Sequence, residues 1–240
     1  STLKLVGGSS TLQAQGMAFD NLVVAKGSWA ALNVVGDLDV NGLFRMASSK
    51  YATMKVPGTV YLGGDFQYDS GNFDQQGTGV LHFDARTPFR RPTSRSLTLN
   101  GNARLENVRF GGRGNGGSGS RAYYNLSGSG KLIATKNLTI QQTGSPLGIA
   151  LNGGTVQASG DVYVRDGAAG GSADVVLTGT TIHYSTGRLP NLVVKGDVDV
   201  DGTGLAKVVE ACPVGALTFK QDPVWTLSPR FTRPVPPEAG

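Results

Sequence analysis

Cysteine is almost absent: Cys212 stands alone in 240 residues, so no disulfide can close within the chain and a disulfide-rich secreted scaffold is excluded. No run of eighteen apolar residues, no heptad and no collagen triplet occurs, which disfavours a membrane span, a coiled coil and a triple helix. Helical spacing is equally scarce and is confined to Leu205 to Ala211. Glycine, by contrast, supplies 36 residues, about twice its average share. Valine, leucine and threonine alternate with small polar residues, too apolar a pattern for a disordered chain. The formal charge of +5, from 22 basic and 17 acidic residues, favours contact with anionic polymers without demanding it. Ser1 to Val6 already alternate as a strand with no basic or apolar leader before them, so the numbered chain is expected to be mature or excised.

Self-similarity carries the fold expectation. Asn21-Leu22-Val23-Val24 returns as Asn107-Val108-Arg109-Phe110 and as Asn191-Leu192-Val193-Val194, at nearly equal separations. Upstream of each lies an alternating strand: Leu3-Lys4-Leu5, Leu81-His82-Phe83 and Val175-Val176-Leu177. A second signature, Gly-Asp followed by alternating apolar or aromatic positions, begins at Gly36, Gly64, Gly160 and Gly196, with Asn137-Leu138-Thr139-Ile140 as a degenerate fifth. Intervals such as that from Gly36 to Gly64 suit one coil or somewhat more.

Alternation puts the apolar residues of each short strand on one face. One coil cannot bury that face alone, but coils stacked at about 4.8 Å give a continuous core and pair the backbone between them, and roughly ten would reach about 50 Å. The expectation is therefore an all-β fold, a parallel β-solenoid over residues 1–205, followed by a non-repeat capping segment and proline-rich tail over 206–240. An antiparallel sandwich also has many short strands, but it needs no recurrence at such long range.

The order Leu-x-Leu, glycine-rich turn, Phe19-Asp20-Asn21-Leu22-Val23-Val24, then Val35-Gly36-Asp37-Leu38-Asp39-Val40-Asn41-Gly42 resembles the β-helical repeats of large secreted bacterial surface proteins, the filamentous-haemagglutinin-like and autotransporter-like adhesins. That resemblance implies a right-handed parallel β-helix, export to the cell surface or extracellular space, and a structural or adhesive role that includes filament building, without catalytic residues or cofactors.

Candidate sites follow from charge and spacing. Arg86, Arg90, Arg91 and Arg95, interleaved with Phe89, Pro88 and Pro92, form the densest positive cluster and are expected to protrude as an inserted loop. Arginines beside aromatics grip phosphate, sulfate or carboxylate groups, so anionic glycans are the expected ligand, the alternative being a solvated loop that aids solubility. Gly111 to Ser120 is expected to be a second ejected loop, not a phosphate cradle, because the lysine-serine or lysine-threonine ending is missing.

Asp37-Leu38-Asp39 and Asp197-Val198-Asp199-Val200-Asp201 begin like calcium loops, but position twelve holds Ser48 or Val208 instead of glutamate. They read as strands with outward aspartates, and no metal site is assigned. His82 and His183 are flanked by inward positions and are expected outside. Cys212 is a single thiol where an iron–sulfur cluster needs four.

Fourteen aspartates leave room for a second reading, a polysaccharide lyase or hydrolase that uses paired carboxylates. The tail, with prolines at 223, 229, 234, 236 and 237, is expected to cap the solenoid or bind a neighbour. Expected partners are further subunits, stacked end to end or held by the tail, and anionic glycans. Neither a specific nucleic acid nor a membrane span is expected.

Overall fold

A computed structural model of the chain describes residues 1–84, 93–111, 122–141, 148–165, 170–184, Gly187, 189–196, 198–201 and 226–227. All described regular structure is β-strand. The first sheet contains β1 (Thr2–Gly7), β4 (Asn21–Lys26), β7 (Phe44–Ala47), β10 (Phe66–Ser70), β13 (Thr93–Leu99), β15 (Ala122–Ser127) and β17 (Ile149–Asn152), each paired with the next. The second contains β2 (Ser10–Gln13), β5 (Ala31–Val35), β8 (Thr53–Lys55) and β11 (Asn72–Asp74).

The third sheet runs through β3 (Ala18–Phe19), β6 (Leu38–Val40), β9 (Thr59–Leu62), β12 (Val80–Asp84), β14 (Ala103–Gly111), β16 (Leu132–Ile140), β19 (Asp161–Val164), β21 (Thr180–Tyr184) and β23 (Val198–Asp201). It forks at β16, whose first half pairs with β18 (Thr155–Ala158), followed by β20 (Asp174–Leu177) and β22 (Asn191–Val194). Every pairing among the described strands is parallel except that of β23 with β24 (Thr226–Leu227). Parallel pairing sets the antiparallel sandwich aside, and the arrangement is compatible with a β-solenoid.

Register measures the coil. Leu22 stands opposite Phe44 and Phe44 opposite Phe66, so near the N-terminus the chain returns to the same place in equal steps. The steps then lengthen, with Phe66 opposite Leu97 and Thr93 opposite Ala122. They shorten again towards the C-terminus, where Val162 stands opposite Ile182 and Asp174 opposite Asn191.

This corrects the repeat read from sequence. Leu3-Lys4-Leu5 lies directly opposite Leu22-Val23-Val24, Leu81-His82-Phe83 opposite Val108-Arg109-Phe110, and Val175-Val176-Leu177 opposite Leu192-Val193-Val194. What recurs at long range is thus a strand together with its stacked neighbour in the next coil. The first such pair lies in the first sheet and the other two in the third. Similar residues stack because they share one environment: apolar inside, polar outside, with side chains in line along the ladder. The interval from Gly36 to Gly64 likewise joins strands of different sheets, β6 and β10, and is not a coil length.

The Gly-Asp signature has a backbone reason. Asp37 Oδ1 accepts from the Thr59 amide and Asp65 Oδ1 from the Ser96 amide, both at 2.8 Å, so each carboxylate ties its turn to the following coil. At Gly64 the chain passes so close to the coil before it that a Cβ would lie 2.0 Å from the Gly42 carbonyl oxygen. Asparagine does the same work: Asn21 Oδ1 accepts from the Leu43 amide at 2.8 Å, and Asn137 Nδ2 donates to Asn107 Oδ1 at 2.7 Å.

Inward leucines, valines and phenylalanines make one continuous core. Its rings stack from coil to coil: Phe44 on Phe66 at 5.8 Å, and Phe83 on Phe110 at 4.8 Å with Tyr124 edge-on at 5.2 Å to Phe110. Two polar side chains that enter it, Lys26 and Gln75, are held by hydrogen bonds. Lys26, only 4 % exposed, donates through Nζ to the carbonyls of Val6 and Gly8 and to Ser10 Oγ at 2.8–3.1 Å. Gln75 is buried and exchanges hydrogen bonds with the Asn107 backbone, 2.9 Å to its carbonyl and 2.8 Å from its amide, and also accepts from the Glu106 amide. Its side chain thereby acts as a length of strand linking the end of β11 to β14.

Candidate functional site

Three segments outside the described residues, 85–92, 112–121 and 142–147, join β12 to β13, β14 to β15 and β16 to β17. All three are passages from the third sheet to the first, in successive coils, and they account for the lengthened steps. Near the N-terminus the same passage, from Val40 in β6 to Phe44 in β7, needs only Asn41, Gly42 and Leu43. The long segments therefore fall at one kind of passage, where extra length costs little because the flanking strands stay paired.

Arg86, Arg90 and Arg91 lie within the first of these segments, outside the described residues. Arg95 lies apart from them, inside β13, in the same alternation as the buried Leu97 and Leu99 and opposite Tyr124. Tyr124 is buried and donates its hydroxyl to the Phe83 carbonyl at 2.8 Å. Burial pushes its phenol far above the ordinary range; the buried Asp84 carboxylate adds to that, and the Arg95 guanidinium opposes it. Arg95 Nε is buried with no hydrogen-bond partner, while Nη1 makes a long 3.4 Å contact to the Ser94 carbonyl. Arg95 is thus a charge at the root of the segment, seated against an interior phenol, and differs from the expected member of a protruding loop.

The outer side of the third sheet carries a polar row in register: Tyr61, His82, Arg109, Thr139, Tyr163 and His183. His82 departs from its expected surface position, being 4 % exposed. Alternation does place it on the outer side, but Tyr61 lies at 5.4 Å between ring centroids and its Nε2 is 2.8 Å from the Gly111 carbonyl oxygen. Neighbours in the ladder have covered it.

His183 is half-buried. Its ring stacks on Tyr163 at 4.6 Å and 11°, with Nε2 3.8 Å from Asp161 Oδ2. Tyr163 donates to the same oxygen at 3.3 Å, and Arg165 lies 5.3 Å from the Tyr163 ring. Desolvation, and then the Asp161 charge and hydrogen bond, hold the Tyr163 phenol above its ordinary value against the opposing Arg165 charge. This set can stack on and hydrogen-bond a polar ligand.

No known protein family, no characterised protein and no solved structure matches the chain.

The Asp37-Leu38-Asp39 motif is a strand with Leu38 and Val40 buried and Asp39 between them, and Asp37 is engaged with Thr59. Asp197 lies outside the described residues, as do the side chains of Asp199 and Asp201. Among the described residues no three His, Cys, Asp or Glu side chains converge on one point, and no helix is long and apolar enough to cross a membrane. Cys212, Leu205 to Ala211 and Gly112 to Ser120 lie outside the described residues, as does the tail apart from β24.

Sequence reading passed over Gln75, Lys26 and an exposed pair, Trp29 and Tyr51. The true coil period was the signal that could have found the last, since these aromatics occupy equivalent turns one coil apart.

Proposed function

We propose that the chain is a right-handed parallel β-helix serving as a structural and adhesive module of an exported bacterial surface or extracellular filament protein. The observation that carries this reading is the coincidence of parallel pairing from coil to coil with long segments gathered at one kind of passage. A ladder in which each coil shelters the next is a stiff support, and on this reading the segments inserted at the same passage supply its contacts. The strong preference of parallel crossovers for the right hand supports that handedness. The antiparallel contact of β24 with β23 supports a capping role for the tail, because it covers part of the last strand's edge. Further subunits stacked end to end are the proposed route to a filament.

Anionic glycans are the proposed ligand of the first segment through Arg86, Arg90 and Arg91, with Arg95 holding its base. Retention on immobilised heparin tests this. The triple variant Arg86→Ser, Arg90→Ser, Arg91→Ser is expected to elute at clearly lower salt than the parent with the same melting temperature. Equal elution of the two would reject the arginine contact. Arg95 is left in place because its neighbours are interior groups.

A second reading, a polysaccharide-active enzyme, is favoured by Asp161, Tyr163 and His183, with Asp201 at the register position next to His183. Release of reducing sugar from a polysaccharide panel, abolished by Asp161→Asn, would support it over the non-catalytic reading.

A further inference from the structure

The turn from the first sheet to the second carries an aromatic pair in consecutive coils. Trp29 is 80 % exposed and Tyr51 46 %, and their rings are stacked at 4.7 Å between centroids and 6° between planes. Trp29 has φ of +61°, the left-handed region that a non-glycine residue enters at an energetic cost. Glycine would fit this turn without strain, and an indole so exposed buries little in return. The stack on Tyr51 offsets a cost of similar size, so stability gives no net reason for tryptophan here.

One face of the indole rests on Tyr51, whose ring also has the Lys50 ammonium 4.9 Å from its centroid. On the other side lies the preceding coil. There the Gly27 amide bonds the Gly7 carbonyl at 2.9 Å, and the next residue is Gly8. A Cβ added at Gly7 or Gly8 would meet nothing within 4 Å, so the coil beside the uncovered indole face carries no side chain at these two positions and has open space around them. Ser28 and Ser49 Oγ stand 3.2 Å apart, and Ser49 Oγ also accepts from the Tyr51 amide at 3.4 Å, which leaves each hydroxyl with hydrogen-bonding capacity to spare.

We propose that Trp29, backed by Tyr51, is a stacking platform for a pyranose ring of a neutral polysaccharide. A pyranose offers a flat face of C–H groups rimmed by hydroxyls. The indole face supplies the apolar complement, and the hydroxyls of Ser28 and Ser49 supply the polar rim. A protein partner fits less well: a protein interface core needs several hundred Å² of contiguous apolar surface, whereas this pair is bordered by glycine, serine and lysine. The site lies at a different turn from the arginine segment and is directed at uncharged glycans, so it stands or falls separately from the contact proposed above.

Trp29 and Trp225 are the only tryptophans, so Trp225→Phe leaves Trp29 as the sole indole reporter. Titration of that protein with cellohexaose, xylohexaose, mannohexaose and chitohexaose is expected to give, for at least one, a saturable emission change and protection from acrylamide quenching, with Kd of about 1 mM or below. Calorimetry on Trp29→Gly and Tyr51→Ala should show that binding lost or weakened at least tenfold. Trp29→Gly relieves the backbone and should melt no lower than the parent, which separates loss of the platform from loss of the fold. No saturable change with any of the four sugars, or binding that survives Trp29→Gly, would overturn the proposal. So would an emission shift that follows protein concentration in the absence of sugar, because the occupant would then be a second copy.

Discussion

Gly64 and Gly8 show how differently one residue type is constrained along this chain. At Gly64 the missing side chain is a packing requirement, since a methyl group would press against the Gly42 carbonyl, whereas at Gly8 there is open space. Gly64→Ala is expected to cost about 1–3 kcal/mol in urea unfolding, the range for overpacking. Gly8→Ala should change stability by no more than about 0.5 kcal/mol. A small effect at Gly64 would mean that the coils can separate locally at little cost.

Asp69 gives the clearest pH dependence. Partial burial raises its carboxyl, but hydrogen bonds from Gln67, Asn100 and Arg45, together with the Arg45 charge at 2.8 Å, outweigh that and hold it below its ordinary value. A carboxylate depressed in the folded state contributes stability that is fully present above its unfolded pKa, about 3.9, and is lost as pH falls through the lower folded value. Melting temperature should therefore fall below about pH 4, and Asp69→Asn should flatten that part of the profile. An unchanged acid limb in Asp69→Asn would place the loss at other carboxylates.

Among the elements, the strands carry the order and the passages carry the variation. Asn41, Gly42 and Leu43 suffice between β6 and β7, whereas the longer segment 112–121 joins β14 to β15. Replacing 112–121 by Asn-Gly-Leu, after Asn41-Gly42-Leu43, should leave the melting temperature within about 4 °C, because loop closure depends only weakly on length. A larger fall would show that the segment packs on the ladder and is part of the fold. Gln75 illustrates the opposite case: just past the end of β11 a buried side chain supplies both donor and acceptor to the middle of β14, at Glu106 and Asn107, where the pairing of β14 with β16 shifts register.

Over the whole molecule, alternation and glycine punctuation made much of the architecture legible. Leu-x-Leu and Asn-x-x-Val segments announce strands with one apolar face, and such short faces need neighbours, hence the parallel stacked sheets. The coil length was not legible, because only inward positions are restricted and successive coils share few identities; the more visible long-range recurrence paired strands that are stacked neighbours. The polar row was partly legible: alternation set His82 on the outer side, but its burial under Tyr61 and Gly111 depends on which strands lie beside β12.

The sequence by itself determined the strand content and the inward alternation, since these follow from local chemistry at period two. Tertiary structure alone decided which strands stack, that Arg95 faces Tyr124 instead of joining a protruding loop, and that Trp29 meets Tyr51. Those contacts join residues a coil or more apart, and their register is set by backbone hydrogen bonds that every residue type but proline can make, so side-chain identity leaves little trace of them in the sequence.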